Sequence, residues 1–232
     1  MSGNGVNVGA RVAEVRARIE RAAQASSRSP SDITLVAVSK GFPAEIVDAA
    51  LEAGVVDLGE NRAQEFAAKS GAVTGSARWH FVGRLQSNKV RVVVGACTLI
   101  HSVDRPKLAE AISARARALG LVQDVLIEVN VSGERAKSGV AAGDALAFSE
   151  KVRGLDAVRV RGLMTIPPWP DRPQDSAPYY ATLRDLRDEL VATVPEATEL
   201  SMGMTRDFEV AVREGATLVR VGEAIFGPRP QP

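Results

Sequence analysis

Eight short apolar runs, each followed by a longer stretch of helical periodicity, restrict this chain to very few architectures. They read ITLVAVSK (33–40), VVDLGEN (55–61), WHFVGR (79–84), TLIHSVD (98–104), DVLIEVNVS (124–132), VRVRGLMTI (158–166), ATELSMGM (197–204) and ATLVRVGE (216–223). Between them the spacing predicts helices over 43–53, 62–69, 105–119, 142–152, 177–194 and 207–214. Pro43 and Pro106 suit a first helical turn, and Gly54, Gly120 and Gly215 suit helix ends. A strand and a helix repeated eight times, at intervals of roughly 20 to 35 residues, is the cadence of a parallel (β/α)8 barrel. The rival is a doubly wound open sheet. That fold would carry a glycine-rich nucleotide turn after its first strand, and SKGFP is not one. The expected architecture is therefore a single α/β domain over 1–232, a (β/α)8 TIM barrel. An amphipathic helix within MSGNGVNVGARVAEVRARIERAA is expected to precede it.

Composition narrows the function. Lys plus Arg total 29 against 28 Asp plus Glu, which gives no electrostatic case for nucleic acid or a membrane surface. The N-terminal stretch lacks a signal-peptide core, and no apolar run reaches membrane-spanning length. One cysteine, Cys97, cannot staple the fold, so a reducing cytoplasm is the expected home. Two histidines, His80 and His101, with no HExxH or DxD pattern, leave little for a transition metal.

In a barrel of this kind the site is built at the carboxyl ends of the strands. Read in order, those ends are Lys40, Glu60 and Asn61, His80, His101, Asn130, Thr165, Ser201, and Arg220 with Gly222. Lys40 shares a strand face with Val36 and Val38, so its stem enters the core and its nitrogen emerges at the tip. Such an amine needs a partner, a shifted pKa or a covalent role; an ion pair with Glu60 and a carbonyl-capturing role both fit. SMGMTRDFE (201–209) and RVGEAIFG (220–227) follow strands seven and eight, where this fold commonly holds phosphate. Gly203 and Gly222 there serve either phosphate approach or plain turns. A lysine facing a phosphate cradle suits a phosphorylated carbonyl compound, and pyridoxal 5′-phosphate fits. Arg220 then either donates to the ring nitrogen or forms an ion pair. PPWPDRPQDSAP (167–178), with five prolines, reads as a stiff surface loop or a lid. Gln86, Asn88 and Lys89 are expected to open and cap a helix. Lys137, on the glycine-flanked SGERAKSG loop, is either a solvated charge or an aid to a second ligand or partner.

These stretches, together with LGENRAQE, WHFVGRLQSNK, IHSVDR, VNVSGERAKSGV and LSMGMTRDFEVAVREGAT, resemble the pyridoxal phosphate homeostasis proteins along essentially the whole chain. That family shares the barrel of the alanine racemase N-terminal domain (pyridoxal phosphate fold type III). The resemblance implies a pyridoxal phosphate carrier or buffer in which Lys40 is the Schiff-base lysine and Asn61 lies beside the cofactor. Ser201 and Gly203 help to hold the phosphate, Arg220 faces the pyridine nitrogen, and Gly222 completes the phosphate cup. Thr205 stands where serine is usual, and no metal is implied. His80 is either near the ring or a buried histidine satisfied by hydrogen bonds. Gly41 replaces a usual threonine. Glu223 replaces a common hydroxyl residue, so its carboxylate must point away from the phosphate or the contacts there differ. Apo enzymes that use the cofactor are the implied recipients, and a monomer or weak dimer the implied state.

A racemase is the alternative. It needs a base on each face of the cofactor, and related racemases take the second, a tyrosine, from a further domain that is not expected here. Tyr179 and Tyr180 lie in or beside the proline-rich loop and read as packing or surface residues. His80 or His101 would have to serve instead. An arginine at the ring nitrogen also weakens the electron sink that racemisation needs, so a non-catalytic protein is expected.

Overall fold

The computed structural model describes residues 7–228. Helix α1 (Val8–Ala25) starts on Asn7, whose Oδ1 accepts the Ala10 amide at 2.9 Å. Val8, Val12, Val15, Ile19, Ala22 and Ala23 recur every three or four positions and are all buried, leaving Glu14, Arg16 and Glu20 to water. The first six residues of the expected N-terminal segment lie outside the described residues.

Strand and helix then alternate as β1 (Thr34–Val38), α2 (Ala44–Glu52), β2 (Asp57–Glu60), α3 (Ala63–Ser70), β3 (Arg78–Phe81), α4 (Val90–Val93), β4 (Leu99–Val103), α5 (Pro106–Ala118) and β5 (Gln123–Asn130). There follow β6 (Val140–Ala141), α6 (Ala145–Arg153), β7 (Val158–Met164), α7 (Ala177–Val191), β8 (Glu199–Ser201), α8 (Phe208–Arg213), β9 (Leu218–Val221) and α9 (Glu223–Phe226). All strand pairs are parallel, in the order β4-β3-β2-β1-β9-β8-β7-β5, and β4 pairs with β5 to close the ring. The two-residue β6 hangs on β5 outside the eight-stranded barrel. Each of the eight apolar runs supplies one barrel strand, and the architecture is the expected (β/α)8 barrel of the alanine racemase N-terminal type.

The expected helix after Gln86 is reduced to a 3-10 turn over Ser87–Lys89 and the single turn α4, neither with a side-chain cap. The run Val90-Arg91-Val92-Val93-Val94 explains the brevity, because β-branched side chains lose χ1 freedom in a helix.

Both strand faces are buried, as in other all-parallel sheets. Trp79 and Phe81 point outward into the helix layer, where Trp79 meets Phe66 edge-on at 5.5 Å between centroids. Val36, Leu99, Leu126, Met164 and Leu218 form a separate cluster inside the barrel. Among the described residues no helix is long and apolar enough to cross a membrane, and no cluster of histidine, cysteine and carboxylate side chains could hold a metal ion.

Candidate functional site

A cavity of about 270 Å³ opens at the carboxyl ends of the strands. Val38 and Lys40 line it while Val36 sits in the interior cluster, so the period of two that aims the lysine inward holds in three dimensions. Asn61 enters from the end of β2, Val82 and Gly83 from the end of β3, and Thr205 from the loop after β8. Arg220 and Gly222 come from β9 and its end. Asn61 Oδ1 is buried without a hydrogen-bond partner among the described residues, an arrangement that favours a ligand donor beside it. Gly83 is required there: a Cβ would lie 2.3 Å from the Asn61 carbonyl oxygen.

The loop after β7 supplies part of the wall through Ile166, Trp169 and Pro170. Trp169 is 68% exposed, and the Arg206 guanidinium stacks 4.5 Å from its ring centre. The proline-rich segment therefore borders the cavity, a role its sequence left open.

Arg220 is buried, and its guanidinium is held from behind. Nη1 donates to Ser201 Oγ at 2.5 Å and Nη2 to the Thr165 carbonyl at 2.8 Å. Burial lowers its pKa, and Tyr180, Glu128 and Asp207 oppose that shift. Arginine stays charged even so. Glu128 accepts the Ser138 hydroxyl at 2.5 Å, and burial raises its pKa while that bond lowers it. Asp207 organises the loop after β8: Oδ1 accepts the Met204 amide at 2.8 Å, and Oδ2 accepts Ser176 at 2.7 Å and Tyr180 at 2.8 Å. Tyr180 is fully buried, as its packing role required, and Tyr179 is half-buried on α7.

Of the residues singled out in the sequence, Lys40, Asn61, Thr205, Arg220 and Gly222 meet in the cavity wall. His80, Ser201 and Gly203 do not line it. Ser201 Oγ is occupied by Arg220 and by His101, whose Nδ1 lies 2.8 Å away. His80 sits inside the barrel between Asp57 and His101. Gly203 has φ +90° and packs on α8, where a Cβ would come within 2.5 Å of the Ala211 Cβ, so the turn reading accounts for it. Glu223 is exposed at the cavity rim. Glu60 pairs with Lys69. Lys137 lies 3.4 Å from Glu134 on its own loop and is not a lining residue. The residues the sequence did not point to, Trp169, Arg206 and Gly83, lie in or beside aperiodic loops, where neither strand nor helix spacing assigns a face.

A family model described as alanine racemase, N-terminal domain, matches residues 11–230. The chain is 45% identical to the pyridoxal phosphate homeostasis protein of Aquifex aeolicus, over 97% of this chain and 99% of that one. Among solved structures it is similar to a protein from Bifidobacterium adolescentis, at TM-score 0.90 and 37% identity over 95% and 94% of the two chains. It is similar also to PipY of Synechococcus elongatus, solved with pyridoxal phosphate bound, at TM-score 0.82 and 35% identity over 95% and 100%. The chain belongs to the pyridoxal phosphate homeostasis proteins, built on the alanine racemase N-terminal barrel.

Proposed function

We propose that this protein binds pyridoxal 5′-phosphate and carries or buffers it for intracellular supply, without turning over an amino acid. The observation that carries the reading is the meeting of Lys40 and Arg220 in the wall of one cavity, with Thr205 and Gly222 beside them. These groups fit the cofactor: a primary amine, a buried guanidinium and a hydroxyl that can donate, and an unpartnered acceptor, Asn61 Oδ1. The relatives named for pyridoxal phosphate homeostasis, and PipY with the cofactor bound, support it. When bound, the cofactor supplies an aldehyde that a primary amine captures covalently. Lys40 is the capturing amine. Arg220 donates a hydrogen bond to the ring nitrogen and, with its high pKa, leaves that nitrogen unprotonated. Thr205 and Gly222 hold the phosphate, and Asn61 accepts from a ligand donor. His80, Ser201 and Gly203 act from behind the wall. The reading takes 1–232 as one binding domain, monomeric or weakly dimeric. Apo enzymes that need the cofactor are its recipients. A reducing cytoplasm suits the chain, whose Cys97 is buried with its thiol pushed up to about 12 by that burial.

Titration with pyridoxal phosphate is expected to produce a near-ultraviolet to visible band distinct from that of the free aldehyde. Arg220→Glu is expected to change that band and weaken binding by roughly ten- to a hundredfold, the scale of a lost hydrogen bond to a charged group. Circular dichroism monitors the fold. An unchanged band and affinity in a folded variant would assign Arg220 to structure alone.

The carrier reading also rests on the make-up of the cavity wall. Its described lining includes no histidine or tyrosine; the Asp207 oxygens are taken by Met204, Ser176 and Tyr180, and Glu223 faces solvent. Racemisation needs proton transfer on both faces, each by a group in hydrogen-bond reach. Incubation of the loaded protein with L-alanine in deuterium oxide is therefore expected to leave no D-alanine. Catalytic formation of D-alanine, lost in Lys40→Ala, would instead establish an enzyme.

A further inference from the structure

Behind the cavity wall, five side chains form a continuous hydrogen-bonded chain through the barrel interior. Arg220 Nη1 reaches Ser201 Oγ at 2.5 Å, and Ser201 Oγ lies 2.8 Å from His101 Nδ1. His101 Nε2 lies 3.0 Å from His80 Nδ1, and His80 Nε2 lies 3.0 Å from Asp57 Oδ1. The residues come from β9, the end of β8, β4, β3 and the start of β2, and none is more than 6% exposed. Arg220 lines the ligand cavity; Asp57 lines a different cleft, beneath α1, with Arg16 and Glu20. The chain thus connects the ligand cavity to the opposite, amino-terminal end of the barrel.

Its direction follows from its two ends. A guanidinium can only donate, so Ser201 Oγ accepts from Arg220. Asp57 accepts from Arg78 at both oxygens, at 2.8 Å from Nε and 2.5 Å from Nη2, which keeps it an acceptor-only carboxylate. Burial would raise its pKa, but the bonds from His80 and Arg78 hold it down at about 2. His80 Nε2 must then carry a hydrogen. If both imidazoles are neutral, His80 Nδ1 accepts from His101 Nε2–H, and His101 Nδ1 accepts the hydroxyl of Ser201. Every donor finds an acceptor. Burial keeps His101 from charging, and the nearby Arg220 charge reinforces this. The groups facing Arg220 from other elements are Glu128 on β5, Tyr180 on α7 and Asp207 before α8.

We infer that His101 and His80, anchored by Asp57, are positioning residues that hold Ser201 as an acceptor toward Arg220 and so fix the guanidinium that meets the ligand's ring nitrogen. The ligand part of this inference rests on the pyridoxal phosphate reading above. The hydroxyl has one hydrogen; once it is given to His101, both lone pairs are available to the guanidinium. If His101 carried its hydrogen on Nδ1, it would compete with Arg220 for the same oxygen, and the hydroxyl hydrogen would have to find another acceptor.

The first test needs no cofactor. Nitrogen-15 NMR of histidine-labelled, ligand-free protein at neutral pH is expected to show both rings neutral with the hydrogen on Nε2. A charged ring, or His101 carrying its hydrogen on Nδ1, overturns the inference. The second test uses cofactor binding. His101→Phe leaves the Ser201 hydroxyl without its acceptor, and affinity for pyridoxal phosphate is expected to fall about tenfold with a shifted absorbance band. His101→Gln preserves the polarity, accepting through Oε1 and donating through Nε2, and is expected to restore both. Asp57→Ala, with the substitution made at the far end of the barrel, is expected to shift the band in the same direction as His101→Phe. Wild-type affinity and spectrum in both folded variants overturn the inference. Should His101→Phe fail to fold, Asp57→Ala and the wild-type NMR decide it. Failure of the wild-type protein itself to take up pyridoxal phosphate would sink the functional reading, and the tautomers would still decide the direction of the chain.

Discussion

Lys40→Ala is expected to abolish covalent capture of pyridoxal phosphate completely: no absorbance band of the lysine-linked cofactor and no borohydride-fixed adduct. The expectation starts from strand geometry. In β1 the side chains alternate, Val36 enters the interior cluster, and Val38 and Lys40 line the cavity two and four positions on. Lys40 sits in the turn two residues past the end of β1, so a rigid strand anchors it, which is how a reactive group is held in a defined orientation. Alanine keeps the backbone and deletes the nucleophile. Arg220, Thr205 and Gly222 are untouched, so weak, reversible binding of the cofactor is expected to survive. Borohydride reduction followed by peptide mass mapping separates the two modes. Wild type is expected to show one modified peptide containing Lys40, and Lys40→Ala none. An undiminished adduct in the variant would move the capture to another lysine, Lys137 being the next to examine.

The strand pattern made most of this fold legible. VVDLGEN (55–61) became β2 over Asp57–Glu60, and TLIHSVD (98–104) became β4 over Leu99–Val103, because apolar runs bounded by turn residues are what a buried parallel strand requires. The two-residue β6 carries no periodic signal, and the valine run after Lys89 hid how little helix lies there. For the site, reading strand ends found Lys40, Asn61, Arg220 and Gly222. The same rule could not separate layers along the barrel axis. His80 and His101 face inward like Arg220, yet they sit behind it, because how far a strand rises in the ring depends on barrel register, which a sequence read strand by strand does not contain. Glu60 was one candidate partner for Lys40; its pairing with Lys69 depends on how α3 docks over β2, a tertiary fact with no local signature.

That pairing yields the largest expected effect on stability. Glu60 is fully buried at the end of β2, and its Oε1 accepts both the Lys69 ammonium and the Ser39 hydroxyl, the latter at 2.7 Å. Lys69 also donates to the Ser39 carbonyl at 2.6 Å, and Glu65 accepts the Gly41 amide at 2.9 Å. The cluster clamps Ser39 and Gly41, the residues on either side of Lys40. Glu60 Oε2 already lacks a partner among the described residues, so the carboxylate has no reserve of hydrogen bonds. Lys69→Met preserves much of the stem's packing but removes the cation bonded to Glu60. Breaking a buried pair in this way costs about 3–5 kcal/mol, because one charge stays buried and uncompensated. The double variant Glu60→Gln/Lys69→Met removes that charge as well and is expected to recover a large part of the loss, since the penalty belongs to the orphaned carboxylate more than to the missing contact. Urea unfolding of the two singles and the double measures the coupling directly. Equal destabilisation of Lys69→Met and the double variant would show that packing, not charge, explains Lys69. Because the clamp also fixes the tip of β1, Lys69→Met is expected to slow cofactor capture in the fraction that stays folded, an effect that separates it from a stabilising pair remote from the site.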